Sequence, residues 1–448
     1  MSDADLPALA REAFIYAFPL HEMTRMRAAT SPRKLANAGP AGDRPDSPLR
    51  WANCLIAARQ LLGAGGSRVV TPNHDTLYLN AWLDLAEGPL VIDVPDTDGR
   101  YYVLGLLDFY TNPFAHLGTR LTGNRARSFV VLGPDAPDAP AVPSGFEAPG
   151  AVVRSPTRWV WIIGRILVDG EHELPLVHAL QDRFGLRRLD DWRAGRDSPP
   201  LRFDARCDPQ APLDVAGFVV NVNRALRDNP PPADEQAQVA RYAAVGIGAG
   251  CPDEPTTAQA ALLQDAITRG LAELQAGGLG DTLVQGWSLP KRLDGGFGRD
   301  HLRRAAVALK YIGALESAEA VYPMAYVDAE GRALTGERAY RLHFAPGQLP
   351  PVDGFWSLTM YDRRSFMLVP NDIGRYAIGD RTRGLVHGAD GSLTIHLQRQ
   401  PPRDPAAHAN WLPAPEAGFY LCLRGYLPQS PLMDGRYRLP GLQPCAPA

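Results

Sequence analysis

The chain has 448 residues, with 46 Lys plus Arg against 49 Asp plus Glu and a formal net charge of −3 at pH 7. This near-neutral balance leaves no broad basic field for a phosphate backbone, which excludes nucleic acid as an expected partner. Forty-three glycines and 42 prolines beside 45% apolar residues point to many turns and short strands around real cores, over enough chain for two or three domains. The five cysteines (Cys54, Cys207, Cys251, Cys422 and Cys445) are odd in number and lack CxxC spacing, so neither a disulfide framework nor a thiolate metal site is expected. No run approaches 18 apolar residues, which argues against a membrane-spanning helix. Asp3 and Asp5 stand where a secretion signal carries basic residues, and Arg11 and Glu12 interrupt any apolar stretch, so a cytoplasmic location is expected.

In chain order, apolar residues at three- and four-residue steps from Leu9 to Phe18 predict an amphipathic helix that ends at Pro19. Residues 30–50 read as loop. Segments 77–83, 90–94, 101–107, 129–132 and 159–163 read as strands separated by Gly, Pro and Asp clusters, and a further strand is expected over 67–70. A helix is expected over 174–184, stopping at Gly185. The stretch 213–314 changes period: 215–226, 233–245, 257–274 and 300–312 read as helices with Pro or Gly breaks. Strands return at 340–344, 355–361, 392–397 and 419–423, and a Pro-rich tail follows.

The first and last β blocks resemble each other. Residues 101–108 lie against 355–362 at a constant offset of 254, each an aromatic-led strand ending in Asp. Downstream, 117–120 is set against 373–375, Gly123 against Gly379, 128–132 against 392–397, and the strand ending in Arg165 against the one ending in Arg424. The expected fold is α+β: two similar antiparallel β-sandwich, jelly-roll-like modules (1–212 and 315–448) joined by a helical bridge (213–314).

The turn at 71–78 concentrates polar groups. His74 and Asp75 are candidates for general acid/base work, with Tyr78 as a third catalytic group. The structural alternative is that these residues cap backbone groups in a turn after Pro72. Asn73, Tyr110, Asn112, Arg120, Trp356, Tyr361, Arg375 and Trp411 are candidate substrate-binding residues, the arginines for an anionic portion and Trp356 and Trp411 as an apolar wall. His74, Asp75 and His116 are a minor candidate set for a divalent metal, chemically suitable but without a local ligand motif such as HExxH. Arg165 and Arg424 are expected to pair with Asp108 and Asp362 as braces of the repeat. No GxSxG elbow, P-loop or GxGxxG after a strand occurs, so no nucleotide cofactor is expected.

Thr71-Pro-Asn-His-Asp-Thr-Leu-Tyr78, Asp108-x-Tyr110-x-Asn112-x-Phe114, Gly118-x-Arg120 and Trp161-Ile-Ile-Gly-Arg165, followed by Tyr322-Pro, Phe355-Trp-Ser-x-Thr359-x-Tyr361, Asn410-Trp-Leu-Pro-Ala-Pro415 and Arg424-x-Tyr426, resemble a bacterial two-domain family. Its parts are known as domains of unknown function 1254 (N-terminal) and 1214 (C-terminal). The resemblance implies an N-terminal mixed domain and a C-terminal β-sandwich domain, and no reaction. The functional expectation is an enzyme acting on a small organic molecule by hydrolytic, eliminative or isomerising acid/base chemistry at the junction of the modules. The alternatives are a non-catalytic binder of a carbohydrate or lipid-like ligand, and a scaffold for a homo-oligomer.

Overall fold

The computed structural model describes residues 5–35, 47–64, 71–135, 145–277 and 282–446; the strand expected over 67–70 lies outside them. The first element, α1 (Leu6–Thr30), is buried along most of its length from Leu9 to Ala28. It does not stop at Pro19. That proline is itself buried within the helix, and the one backbone bond it removes is offset by helices packed around it.

The N-terminal module comprises β1 (Leu49–Ala52), β2 (Ile56–Ala57), β3 (Thr76–Asp84), β4 (Leu90–Val94), β5 (Tyr102–Leu107), β6 (Pro113–Gly118), β7 (Arg127–Leu132), β8 (Val152–Arg154) and β9 (Trp159–Leu167), then α2 (Leu174–Gln181), β10 (Gly185–Arg188), α3 (Leu189–Arg193) and β11 (Leu201–Asp204). The middle of the chain holds α4 (Val215–Asp228), α5 (Gln236–Arg241), α6 (Thr257–Ala276), the hairpin β12 (Thr282–Val284) and β13 (Trp287–Leu289), and α7 (His301–Lys310). The C-terminal module comprises β14 (Ala320–Val321), β15 (Met324–Ala325), β16 (Ala339–Phe344), β17 (Val352–Asp362), β18 (Ala377–Gly379), β19 (Leu393–Gln398), α8 (Pro405–Ala409), β20 (Trp411–Pro413), β21 (Phe419–Pro428), α9 (Ser430–Met433) and β22 (Gln443–Cys445). The fold is therefore α+β, with mainly antiparallel pairing. The middle helices are more than a bridge: α4, α6 and α7 wrap α1 and share one apolar core with it, because a helix apolar on nearly all sides needs a complete shell.

The duplication is visible in strand order. One N-terminal sheet runs β10-β4-β7-β8 and one C-terminal sheet runs β22-β16-β19-β20; in both, the first three strands pair antiparallel and the last pair, β7 with β8 or β19 with β20, is parallel. The other N-terminal sheet contains β3-β9-β5-β6, and its counterpart contains β15-β21-β17-β18. Registers agree to the residue. Val103 faces Arg165 on one side and Gly118 on the other, while Ser357 faces Arg424 and Gly379. The structure thus aligns Gly118, rather than Gly123, with Gly379. Both glycines donate to a threonine hydroxyl just downstream, Gly118 to Thr122 at 2.8 Å and Gly379 to Thr382 at 2.9 Å. Both also approach a neighbouring carbonyl so closely that a Cβ would lie 2.4 Å from Tyr102 O or 2.1 Å from Trp356 O. In each module one apolar core collects side chains from both sheets: Leu79, Ile92, Leu104 and Phe129 in the first, Leu342, Leu358, Ile395 and Leu423 in the second.

Asp108 and Asp362 are equivalent too, but neither braces an arginine. Each closes the turn after its strand by accepting backbone amides, Asp108 from Tyr110 and Asn112, Asp362 from Arg364 and Ser365. Arg165 and Arg424 instead project from the opposite sheet faces into the junction between modules. Arg424 donates to Thr359 Oγ1 and to Thr71 O, both at 3.0 Å. Among the described residues Arg165 hydrogen-bonds only Gly313 O, at 3.5 Å, leaves Nη1 without a partner, and lies 5.5 Å from the Tyr78 ring centre.

Candidate functional site

Residues 71–75 leave the N-terminal module and lie across the outer face of the β17–β21 pair. Thr71, Pro72 and Asn73 are tied down there by hydrogen bonds. Thr71 sits at φ 53°, a left-handed conformation costly for a β-branched residue. It is held there by its amide donating to Phe366 O at 2.9 Å, its hydroxyl bonded to Tyr420 OH at 2.7 Å, and its carbonyl accepting from Arg424. Tyr361 OH donates to Pro72 O at 2.6 Å, and Asn73 Nδ2 donates to Tyr426 OH. Asn73 Oδ1 accepts the Asp75 amide at 2.6 Å, an Asx turn that aims the two following side chains.

Those side chains are His74 and Asp75, and both line a cleft of about 280 Å³ between the modules. The end of β9 and the loop after it (Leu167 to Gly170) form one wall, and Phe355 to Ser357 of β17 with the β18 turn through Arg383 form the other. Asp75 Oδ2 accepts the Ser357 hydroxyl at 2.6 Å, a charge-assisted bond across the junction. His74 Nδ1 lies 2.7 Å from Leu62 O. A carbonyl can only accept, so Nδ1 carries a proton, and in the neutral ring the lone pair is on Nε2. The ring is also packed edge-on against Tyr376, centroids 5.0 Å apart. Arg381 and Arg383 lend the cleft positive charge; Arg383 Nη2 donates to His172 Nε2 at 2.8 Å, and Arg381 lies 3.5 Å from Asp169. Beside them is Asp380, exposed as a residue but with its carboxyl folded back to accept the Trp356 amide at 3.2 Å. Desolvation pushes it up to about 6, against the pull of that amide, and the Asp75 carboxylate adds to the rise.

The other sequence candidates lie elsewhere. Tyr78 packs against Arg165 on the sheet face and does not line the cleft. Tyr110 is buried in the helical layer, its hydroxyl donating to Asn229 O at 2.9 Å. Asn112 is occupied by Asp108 and by the Phe297 amide. Arg120 is consumed by Glu319 at 2.8 Å and Glu316 at 3.2 Å, so it is not available to an anionic substrate. Arg375 donates to Ala409 O and Trp411 O, pinning a loop, and Trp411 Nε1 donates to Gln398 O. Trp356 borders the cleft, yet its indole packs in the C-terminal core against Phe344. Neither tryptophan offers a stacking wall. Tyr361 is a fully buried anchor.

The three metal candidates are not gathered into a ligand set. His116 lies on β6 beside Glu316, whose amide it accepts at 3.5 Å, and burial with Arg120 and Arg165 nearby holds it down at about 4. Among the described residues no group of three or more His, Cys, Asp or Glu is placed to hold a metal ion. Ser357, Asp169, His172, Arg381 and Arg383 are the cleft residues that sequence reasoning passed over. Ser357 stands in the Phe355-Trp-Ser-x-Thr359 motif but lies 282 positions from Asp75, and no local motif marks the other four.

Among solved structures, the chain is similar to the VPA0106 protein from Vibrio parahaemolyticus, with 25% identity and a TM-score of 0.72 over 98% of this chain and 100% of that one. It also aligns with an uncharacterized protein from Burkholderia cenocepacia at 13% identity and a TM-score of 0.43, over 99% of this chain and 95% of that one. No curated protein matches. Residues 52–188 match the family described as Protein of unknown function (DUF1254), and residues 319–430 match the one described as Protein of unknown function (DUF1214). The chain accordingly belongs to the two-domain family that carries these domains in this order.

Proposed function

We propose that the chain is an enzyme acting on a small organic molecule by proton transfer in the cleft between its modules. The observation that carries this reading is the placement of His74: its Nδ1 proton is committed to the Leu62 carbonyl, and the ring borders the cleft, so that in the neutral ring Nε2 is the acceptor. Asp75 is held by Ser357 beside it, and Asp380, next to the cleft residues Gly379 and Arg381 and pushed up by desolvation to about 6, is the candidate proton donor. Loss of a C–H proton to His74 would serve isomerisation if Asp380 delivers a proton to another carbon, and elimination if Asp380 protonates the group that departs as the C=C bond forms; the same base acting on water would serve hydrolysis. Each module is read as a jelly-roll-like two-sheet sandwich, supported by the single core shared by its two sheets. Five free thiols suit a cytoplasmic setting.

The test is proton NMR of pooled small organic molecules incubated with the protein in D2O. The wild type is expected to exchange or consume at least one compound, and His74→Ala, normally folded, to leave it untouched. Binding without exchange or consumption would replace this reading with that of a binding protein; the buried Trp356 and Trp411 leave a carbohydrate binder without its usual platforms.

A further inference from the structure

The duplicated modules meet through equivalent faces, so the cleft has a counterpart across the interface. Hydrogen bonds fix the correspondence. Val168 N donates to Asp75 O at 3.0 Å, and Leu427 N donates to Glu319 O at 3.0 Å, which makes Glu319 the counterpart of Asp75. By strand register Phe355 corresponds to Tyr101 and Ser357 to Val103. Arg381 and Arg120 each stand two residues beyond the equivalent glycines Gly379 and Gly118.

In the counterpart half the chain fills this space itself. Arg120 Nε donates to Glu319 at 2.8 Å, Nη2 donates to Glu316 at 3.2 Å, Tyr101 OH donates to Glu319 at 2.8 Å, and Glu319 is 1% exposed. In the cleft half each partner has changed. Asp75 is one methylene shorter than Glu319 and accepts from Ser357; Phe355 lacks the tyrosine hydroxyl. Among the described residues Arg381 reaches only Asp169, at 3.5 Å, and it keeps 39% of its side chain exposed. A cation that is neutralised internally in one copy is loosely held in the other, beside a second arginine and an open volume.

We infer that the cleft is the open copy of a duplicated carboxylate pocket. In the closed copy Arg120 grips the chain's own Glu319; in the open copy Arg381, with Arg383, takes the carboxylate of a small organic ligand. A guanidinium presents a planar fork that matches a carboxylate better than any neutral polar group, which gives the preference its chemical basis. The inference rests on the cleft being the ligand site proposed above, and it names the class of substrate that site accepts.

The experiment is isothermal titration calorimetry of the full chain with butyrate and with butyramide, its uncharged counterpart, at constant ionic strength. Butyrate is expected to bind saturably, with butyramide at least about tenfold weaker and Arg381→Gln weakening butyrate at least about tenfold, in line with loss of a charge-assisted bond. Asp75→Glu is expected to abolish butyrate binding, because the longer carboxylate reaches Arg381 as Glu319 reaches Arg120; Asp75→Asn keeps the pocket open. The inference is overturned if butyrate does not bind, if butyramide binds equally well, or if Arg381→Gln leaves the butyrate affinity unchanged. Its fate separates from that of the proposed chemistry. Butyrate binding through Arg381 without any turnover removes the enzyme and keeps the carboxylate pocket, whereas His74-dependent exchange of uncharged compounds alone does the reverse.

Discussion

Arg165 and Arg424 occupy equivalent positions, yet the same substitution at each is expected to have different consequences. Arg424 is 3% exposed and makes two charge-assisted hydrogen bonds at 3.0 Å, one of which holds Thr71 in its left-handed conformation. Replacing it with methionine removes both and leaves the Thr71 carbonyl and Thr359 hydroxyl short of a partner, a loss of about 3 kcal/mol or more. Arg165 is 6% exposed, with one bond at the 3.5 Å limit and an unpartnered Nη1. Arg165→Met forfeits about 1 kcal/mol of contact with Tyr78 but also relieves the burial of a poorly paired charge, so the net change is expected within about 1 kcal/mol of zero, or stabilising. The assay is the urea midpoint of the full chain, followed by both tryptophan fluorescence and far-UV circular dichroism, with an unchanged m value required for each variant. Equal losses, or a larger loss at Arg165, would refute the claim that the two halves of the interface have diverged in how they satisfy their arginines.

Other outcomes follow from the same geometry. Ser357→Ala removes the hydroxyl that bridges the modules to Asp75 at 2.6 Å and should lower stability by about 1–3 kcal/mol, whereas Ser357→Thr should recover part of it; identical urea midpoints for wild type and Ser357→Ala would contradict this role. Gly379→Ala and Gly118→Ala should each cost about 2 kcal/mol or more, since the added methyl meets backbone carbonyls that cannot step aside, as differential scanning calorimetry would register. Burial holds His21 down at about 3 and His116 at about 4. Both therefore bind fewer protons folded than unfolded below their ordinary pKa of 6.5, so stability falls as pH drops from 6.5 toward 4, by about 1.4 kcal/mol per pH unit for each histidine. His116→Gln should flatten that slope, measured as thermal midpoint against pH; an unchanged slope would show that His116 does not titrate in this window.

How much of this was legible in the sequence depended on whether the information was local. The duplication could be read because strands that share a register keep their aromatic and glycine landmarks, as in 101–108 against 355–362. The detail failed where an insertion intervened: the turns after Gly118 and Gly379 differ by one residue, and only the hydrogen bonds to Thr122 and Thr382 restore the alignment. The middle helices were recognisable from their period, but their packing on α1 was not, because periodicity marks an apolar face and not the surface it meets. At the site, the 71–78 motif stood out as a polar cluster and does place His74 and Asp75 at the cleft. Its other residues turned out to be anchors, since Asn73 and Thr71 find their partners about 350 positions away. Arg120 and Arg381 show the limit most clearly. One is paired and the other nearly free, and that difference rests on Glu319 and on a one-methylene difference at Asp75, neither visible from the arginines' own neighbourhoods.

The most direct measurement for the account is a crystal structure of the His74→Gln variant with the compound that the wild type exchanges or consumes. The account predicts that compound in the cleft between the modules, its reacting carbon about 3–3.5 Å from the position of His74 Nε2 and its carboxylate on Arg381. The same compound bound elsewhere, or in the cleft with its reacting carbon turned away from residue 74, would contradict it.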